Sequence, residues 1–334
     1  MNWASGYKAS YHACVVDPVT WADADVIDLL SGSVNRTNSG LRESADISCV
    51  DYEYGSDRWI RIWMDTEQDG SHEHVALFTG LTSAPEKKID GTISEMAIQC
   101  YSVLKPAQDI YLPRGWYAAK GFIGAELVAD LLSVGPAPVT FERDSPRLSQ
   151  HIIAEDGETR LSMAYKILDA IGWRIRIEGT GDIYIGPYKE EPVAVFSALM
   201  NDQIEPNVTI KSDWFECPNV FRAVTDSGTA TAVDEDPESI LSTISRGREI
   251  WKEETSVKLN DGESLPAYAK RRLKELQTTS TVTSYPRSYD PRALVTDRIR
   301  LNYPVHNLVG IYAVESQKIS LDHCGTTAEE VRSA

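Results

Sequence analysis

The sequence predicts a mainly β chain with an α+β middle, on three observations. Short apolar runs broken by Gly, Asp and Pro turns fill the first hundred residues and return in the last third. Between them lie two segments with apolar residues at helical spacing. The second helical segment runs directly into two strictly alternating strands joined by Gly179-Thr180-Gly181-Asp182, a helix followed by a β-hairpin.

The elements follow in order. Tyr11–Val16 reads as a strand closed by Asp17-Pro18. Trp59–Met64 carries too many large apolar side chains for a one-sided strand and is expected to pack on both faces. Its expected partner is His74–Gly80, with Asp65–Gly70 as a polar hairpin tip. Thr92–Tyr101 alternates loosely and reads as a further strand. Short strands at these intervals suggest a barrel or sandwich. Leu104–Asp109 ends this unit, and Tyr111–Gly121 is irregular.

Gly124–Val134 is an expected helix, stopped by Gly135-Pro136-Ala137-Pro138. A second helix spans Thr159–Ile171 through the stripe Leu161, Ala164, Tyr165, Leu168 and Ile171, with Gly172 as its terminator. Trp173–Ile177 and Ile183–Ile185 form the hairpin, and Gly186-Pro187-Tyr188 ends it.

Val193–Phe196 and Pro218–Val224 return to strand patterning. Ala232–Glu238 is acidic, broken by Pro237, and expected to be a mobile solvated loop. Leu265–Leu276 is an amphipathic helix with Pro266 at a tolerant first-turn position. Strands are expected at Thr279–Tyr285, Arg298–Tyr303 and Gly310–Leu321, and the tail Gly325–Ala334 is expected to fray. The organisation divides into residues 1–105, 106–190 and 191–334, with no repeat period of a solenoid.

Composition bounds the function. The chain has 334 residues, 42 % hydrophobic and 25 % charged, with eight Trp and fifteen Tyr, enough to bury real cores. Thirty-three Lys and Arg against 50 Asp and Glu leave a formal charge of −17. That balance argues against a sequence-reading nucleic-acid binder. No apolar stretch approaches the ~20 residues of a spanning helix, and Met1–Gly6 has neither the basic nor the apolar region of a secretory signal. The five cysteines, at 14, 49, 100, 217 and 324, are widely spaced and expected to be reduced, mostly buried thiols.

Catalytic motifs are missing. No phosphate-binding Gly loop, no G-x-S-x-G and no H-E-x-x-H occurs. His72 and His74 could share one strand face and clip a metal, but two polar residues near a hairpin mouth is the stronger reading. Asp65, Glu67, Asp69 and Gly70 mimic half a calcium loop, yet Ala76 stands where the closing carboxylate belongs. Asp234, Glu235, Asp236 and Glu238 are a charge run, not a glycosidase pair across a cleft. Lys270, Arg271, Arg272 and Lys274 could meet acids of a neighbouring subunit, though a solvated helix face is the stronger expectation. Tyr111, Trp116, Tyr117 and Phe122 are expected to form a satellite core under a long loop, with a sugar-stacking platform as the alternative. No catalytic, cofactor-binding or metal-ligating residue is therefore assigned, and no enzymatic activity is expected.

The helix–hairpin unit carries a resemblance. Ile167–Trp173, followed by Asp182–Tyr188, resembles the middle domain of the tail hub proteins of tailed bacteriophages and contractile injection systems. Ala76–Gly80 with Cys100–Leu104 resembles the end of that family's first barrel. Pro218–Val220 with Ala267–Leu273 resembles its second barrel and inserted helix, and Asp297–Tyr303 with Gly310–Ser316 its final strands. The ordered set covers most of the chain.

The resemblance implies two β-barrel domains, at 1–105 and 191–334, around the α+β domain at 106–190. It implies a homotrimeric virion hub in a tail tip or baseplate, in which six barrels form a pseudo-sixfold ring. Such a ring adapts the sixfold tail tube and distal tail protein to a threefold tip. Its lumen passes the tape-measure protein and then DNA, and tail-tip or fibre proteins would close it. Negative charge suits that lumen by repelling phosphate. Many such hubs carry a C-terminal hydrolase or fibre module; the expected strands here run to within about a dozen residues of Ala334, so lytic activity and host binding are not expected. The alternatives are a carbohydrate- or receptor-binding β-protein using the aromatics of 111–122, and a cell-wall hydrolase.

Overall fold

A computed structural model of the chain describes all residues except 4, 51–55, 91–92, 200–201, 213, 226–227, 256, 258–262, 279–280, 323–324 and 334. Cys324 therefore lies outside the described residues, as do the ends of several expected segments.

The chain opens with β1 (Lys8–Val16), β2 (Asp23–Ile27), β3 (Leu29–Thr37) and β4 (Glu43–Val50). The hairpin β5 (Trp59–Gln68) and β6 (Ser71–Thr82) follows, then β7 (Glu86–Asp90) and β8 (Ile93–Ser102). The middle contains α1 (Lys105–Asp109), β9 (Tyr117–Ala118), α2 (Gly124–Leu132), β10 (Val139–Phe141), β11 (Ile152–Ile153), α3 (Arg160–Ile171), β12 (Trp173–Ile177) and β13 (Ile183–Pro187). The last part contains β14 (Ala194–Ser197), β15 (Thr209–Ser212), β16 (Val220–Thr225), β17 (Gly228–Val233), α4 (Thr243–Arg246), β18 (Trp251–Thr255) and α5 (Leu265–Thr278). It ends with β19 (Thr281–Ser288), β20 (Arg298–Tyr303), β21 (Leu308–Ser320) and β22 (Thr326–Ser333).

Among the described residues fourteen strands form one continuous sheet, whose main path runs β15-β19-β22-β21-β3-β4-β8-β6-β5-β1-β2. The long strand β21 joins the two β regions: its first half pairs with β20, its second half with β3, and β22 lies along most of its length. Ala13, Ile27, Val34, Ile47, Ile60, Met64, Phe78, Ile98 and Ile319 converge on one core, so the early strands curl around a common interior. The curl does not close. Only Asp28 separates β2 from β3, yet among the described residues these strands do not pair. Among the described residues no closed barrel is present on either side of β21.

The β5–β6 turn is tighter than the sequence suggested. Pairing continues to Gln68 opposite Ser71, and Asp69 and Gly70 alone turn the chain, both at positive φ. This is the two-residue Asp-Gly solution matched to strand twist. β5 does pack on both faces: Ile60, Ile62 and Met64 enter the core, while Arg61 is buried on the opposite side.

α3 begins at a reciprocal cap. The Thr159 hydroxyl accepts from Ser162 N at 3.1 Å, and the Ser162 hydroxyl accepts from Thr159 N at 3.2 Å. Such a cap contributes about 1 kcal/mol. Gly172 ends α3 in the left-handed conformation, releasing the chain into β12. β12 and β13 pair antiparallel, and β10 adds in parallel. α2, α3 and this small sheet enclose a second core of Val128, Leu132, Leu161, Ile167, Ile175 and Ile185.

The C-terminal tail departs from expectation. Residues 326–333 are not frayed; they form β22, paired with β19 on one side and β21 on the other. Thr327, Glu329 and Val331 point inward. A buried glutamate at the centre of the strand hides the alternation from an apolar pattern. The same reason conceals β3 and β4, whose inward residues include Arg36 and Glu43. Cys14, Cys49, Cys100 and Cys217 are buried thiols, and burial pushes the first three to higher pKa. Among the described residues no helix is long and apolar enough to cross a membrane.

Candidate functional site: a buried ionic seam between the parts

The polar face of the hairpin is the unexpected feature. β12 alternates Trp173-Arg174-Ile175-Arg176-Ile177, and its isoleucines enter the α2–α3 core. The arginine face is also covered, by the loop before β20. Arg174 Nη2 reaches Asp297 Oδ1 at 3.0 Å, and Arg176 Nη1 reaches Asp297 Oδ2 at 2.8 Å. Asp297 is fully buried and also accepts from Leu294 N at 3.1 Å. One carboxylate thus fastens two hairpin arginines to the last part of the chain.

The tip of the same hairpin docks on the first part. Thr79 Oγ1 donates to Gly179 O at 2.8 Å, while Trp21 Nε1 and Arg61 Nη2 donate to Thr180 O at 3.1 and 3.0 Å. Gly179 is required here: a Cβ on it would lie 1.9 Å from Ala76 O. Arg61 is itself held by Asp23 at 2.6 Å. The hairpin therefore bridges both β regions.

Two further ion pairs lie inside the large sheet. Arg36 and Glu43 face each other across β3 and β4, with Arg36 Nε 3.1 Å from Glu43 Oε1. Burial pushes the Glu43 carboxyl up to about 7, with Glu178 adding to the rise and Arg36 opposing it. Arg36 also donates to Leu77 O at 2.5 Å. On β19 and β22, Arg287 Nη2 meets Glu329 Oε2 at 2.6 Å, both fully buried. Tyr285 Oη donates to Glu329 Oε1 at 2.8 Å and Gln317 Nε2 to Oε2 at 2.7 Å. Burial, reinforced by Glu329, raises the Tyr285 phenol far above its ordinary value. Buried pairs with this many hydrogen bonds fix one arrangement of strands, since breaking one strands a charge in a dry interior.

The residues singled out from sequence fall elsewhere. His72 and His74 both lie on β6. His74 Nδ1 contacts Asp65 Oδ1 at 2.6 Å and stacks on Trp63, while His12 Nδ1 contacts Asp65 Oδ2 at 2.9 Å. Asp65 is thereby engaged by two histidines rather than a calcium loop. Among the described residues no group of three or more His, Cys, Asp or Glu is placed to hold a metal.

The acidic run is organised by hydrogen bonds around Asp234. Asp234 accepts from Asp236 N at 3.1 Å, Ser239 Oγ at 2.8 Å and Gln277 Nε2 at 3.0 Å, so one carboxylate organises the turn. Arg271 and Arg272 are half-buried and engaged within the chain. Glu263 and Glu275 hold Arg271 at 2.8 and 2.7 Å, and Glu254 and Glu275 hold Arg272 at 2.8 and 2.7 Å. The aromatic segment is no satellite core. Tyr111, Tyr117 and Phe122 are exposed, and only Trp116 packs on the α2–α3 core. The two-residue strands β9 and β11 offer too little surface to cover the others.

None of the seam residues was assigned a role from sequence. Their partners are distant along the chain, and the one available signal was an arginine at every second position of an otherwise apolar strand.

No protein-family model and no curated protein matches this sequence. Solved structures do match over its whole length. A tail protein from Neisseria meningitidis superposes with a TM-score of 0.72 at 15 % identity, covering 98 % of this chain and 97 % of that one. The 43 kDa tail protein of prophage MuSo2 from Shewanella oneidensis gives 0.65 at 11 % identity, covering 98 % of each. The prophage tail protein gp18 from Listeria monocytogenes gives 0.56 at 10 %, covering 99 % and 95 %. The fold of this chain is the fold of these phage tail proteins.

Proposed function

We propose that this chain is a structural component of a phage-type tail, located in the virion at the tail tip or baseplate. Three copies form a hub that adapts a sixfold tail tube to a threefold tip around the tape-measure and DNA path. The single observation that carries the reading is the end-to-end likeness to three tail proteins, two of them from prophages, with nearly full coverage of both partners each time. The divisions 1–105, 106–190 and 191–334 become the three parts of that hub, the outer two supplying barrel-like units that complete one another between subunits. The buried seam supports a load-carrying role: the middle division is fastened to the last by the Asp297 ion pairs and to the first by a docked backbone. The open ends of the main sheet at β2 and β15 are the edges on which neighbours would add, since unpaired edges invite strand pairing.

The role is structural rather than catalytic, with the tail tube, distal tail protein, tape-measure C-terminus and tip proteins as partners. The test is to label an affinity-tagged copy in assembling tails and image it by electron microscopy. Label at one end of the tail tube is expected. Label absent from purified tails, or spread along the tube, overturns the proposal.

A further inference from the structure

A cleft of about 660 Å³ opens between α5 and the sheet face of β20, β21 and β22. Its volume is within the roughly 300–1,000 Å³ of ligand-binding sites. In a chain of net charge −17, this lining is cationic: Arg271 and Lys274 from α5, Arg298 from β20 and Arg332 from β22, against Glu275 and Glu315.

The register explains the opening. Arg298 and Arg332 both stand opposite Ala313, one on each side of β21, so a small residue separates two guanidinium-bearing positions across three strands. Neighbouring strands lie about 4.8 Å apart, which sets the two arginine backbones roughly 10 Å from each other. Arg271 and Lys274, three apart on α5, overhang the same space. Tyr188, Ala313 and Val314 add apolar floor. Glu275 is shared between Arg271 and Arg272 at 2.7 Å each, Glu263 also holds Arg271 at 2.8 Å, and Arg332 Nε lies 3.9 Å from Glu315, so the test is placed on Lys274 and Arg298.

We propose that this cleft is a docking site for an acidic, extended polypeptide segment. Charge complementarity favours that occupant. The cations come from three elements of the fold, α5, β20 and β22, so a chain of several carboxylates engages more of them than a single anion does. Alternate carboxylates of an extended peptide recur about every 6.7 Å and can meet successive cations. Arginines bind carboxylates through paired, charge-assisted hydrogen bonds. A long nucleic acid would bring many more phosphates against an acidic surface, which repels it outside the cleft. The site needs no particular subunit count, so it stands or falls separately from the hub.

The test uses the full chain and a fluorescein-labelled octaglutamate peptide, read by fluorescence anisotropy at about 50 mM salt, where screening is weak. The cleft variant is Lys274→Glu with Arg298→Glu. The control is Arg114→Glu with Arg143→Glu, exposed residues outside the cleft that change net charge equally. Circular dichroism establishes that each is folded. The expected result is saturable binding, weakened at least tenfold in the cleft variant and less than twofold in the control, and abolished near 300 mM salt. Absent binding, equal loss in both variants, or tighter binding of inorganic phosphate or a single-stranded oligonucleotide overturns the proposal. A chain that stayed monomeric alone and with its tail tube, yet still bound the peptide, would contradict the hub and leave the cleft standing.

Discussion

The hairpin seam and the α5 lobe use the same chemistry in opposite settings. In the seam, Asp297 and Arg174 are fully buried, and so are Glu329 and Arg287 inside the large sheet. Around α5, Arg271 and Glu275 keep about two-fifths of their side-chain surface in solvent. The distances hardly differ, 2.6–3.0 Å in one and 2.7–2.8 Å in the other. Geometry therefore does not rank these pairs; burial does. An exposed pair can exchange its partner for water, whereas a buried one cannot. The seam specifies how the parts sit together, and the α5 pairs trim the surface of one lobe.

Breaking the seam should produce the largest effect. Asp297→Asn leaves Arg174 and Arg176 facing an uncharged amide, and a loss of about 3–5 kcal/mol is expected in denaturant unfolding. Glu329→Gln should fall in the same range, because Arg287, Tyr285 and Gln317 all converge on that carboxylate. Losses below 1 kcal/mol would erase the distinction between the two regions.

Gly179→Ala should come next. Its methyl group would collide with Ala76 O, lifting the tip from its three donors, with an expected loss of roughly 1–3 kcal/mol. Hydrogen exchange at Gly179–Gly181 should accelerate while the α2–α3 core stays protected. Uniform acceleration would mean that the tip does not anchor the hairpin locally.

Glu43 gives a prediction with a sign. Its folded carboxyl is raised to about 7, so its contribution is present below the unfolded value near 4.5 and is lost as pH rises toward 7. Glu43→Gln removes that titration. Between pH 5 and 7.5 the wild type should lose stability relative to the variant, on the order of 3 kcal/mol at most. Parallel pH profiles would place the titration elsewhere.

The smallest effect belongs to α5. Arg271→Ala should cost about 0–1 kcal/mol and diminish further in salt. A seam-sized loss would show that the lobe is held by its ion pairs rather than by the Phe221, Tyr268 and Leu273 core.

Legibility in the sequence followed the same divide. The helix–hairpin unit was readable because Gly172 and the Gly179–Asp182 turn punctuate clean apolar periods, and Arg298–Tyr303 was read to the residue. β3, β4 and β22 were not readable, because Arg36, Glu43 and Glu329 occupy inward positions where the pattern expects apolar side chains. The seam was hidden for a further reason. Arg287 and Glu329 are 42 residues apart, and Arg176 and Asp297 are 121 apart, distances over which spacing carries no information. The aromatics at 111–122 misled in the other direction: their composition suggested a cluster, but the short strands around them leave three exposed.

The central claim is that copies of this chain assemble through their open sheet edges into a threefold hub. The most direct measurement is the mass of the purified chain by light scattering or mass photometry over a concentration range. The account predicts a species of three times 37.1 kDa, growing with concentration at the expense of the monomer. A chain that remains at 37.1 kDa at every concentration, both alone and when mixed with its tail tube, would contradict it.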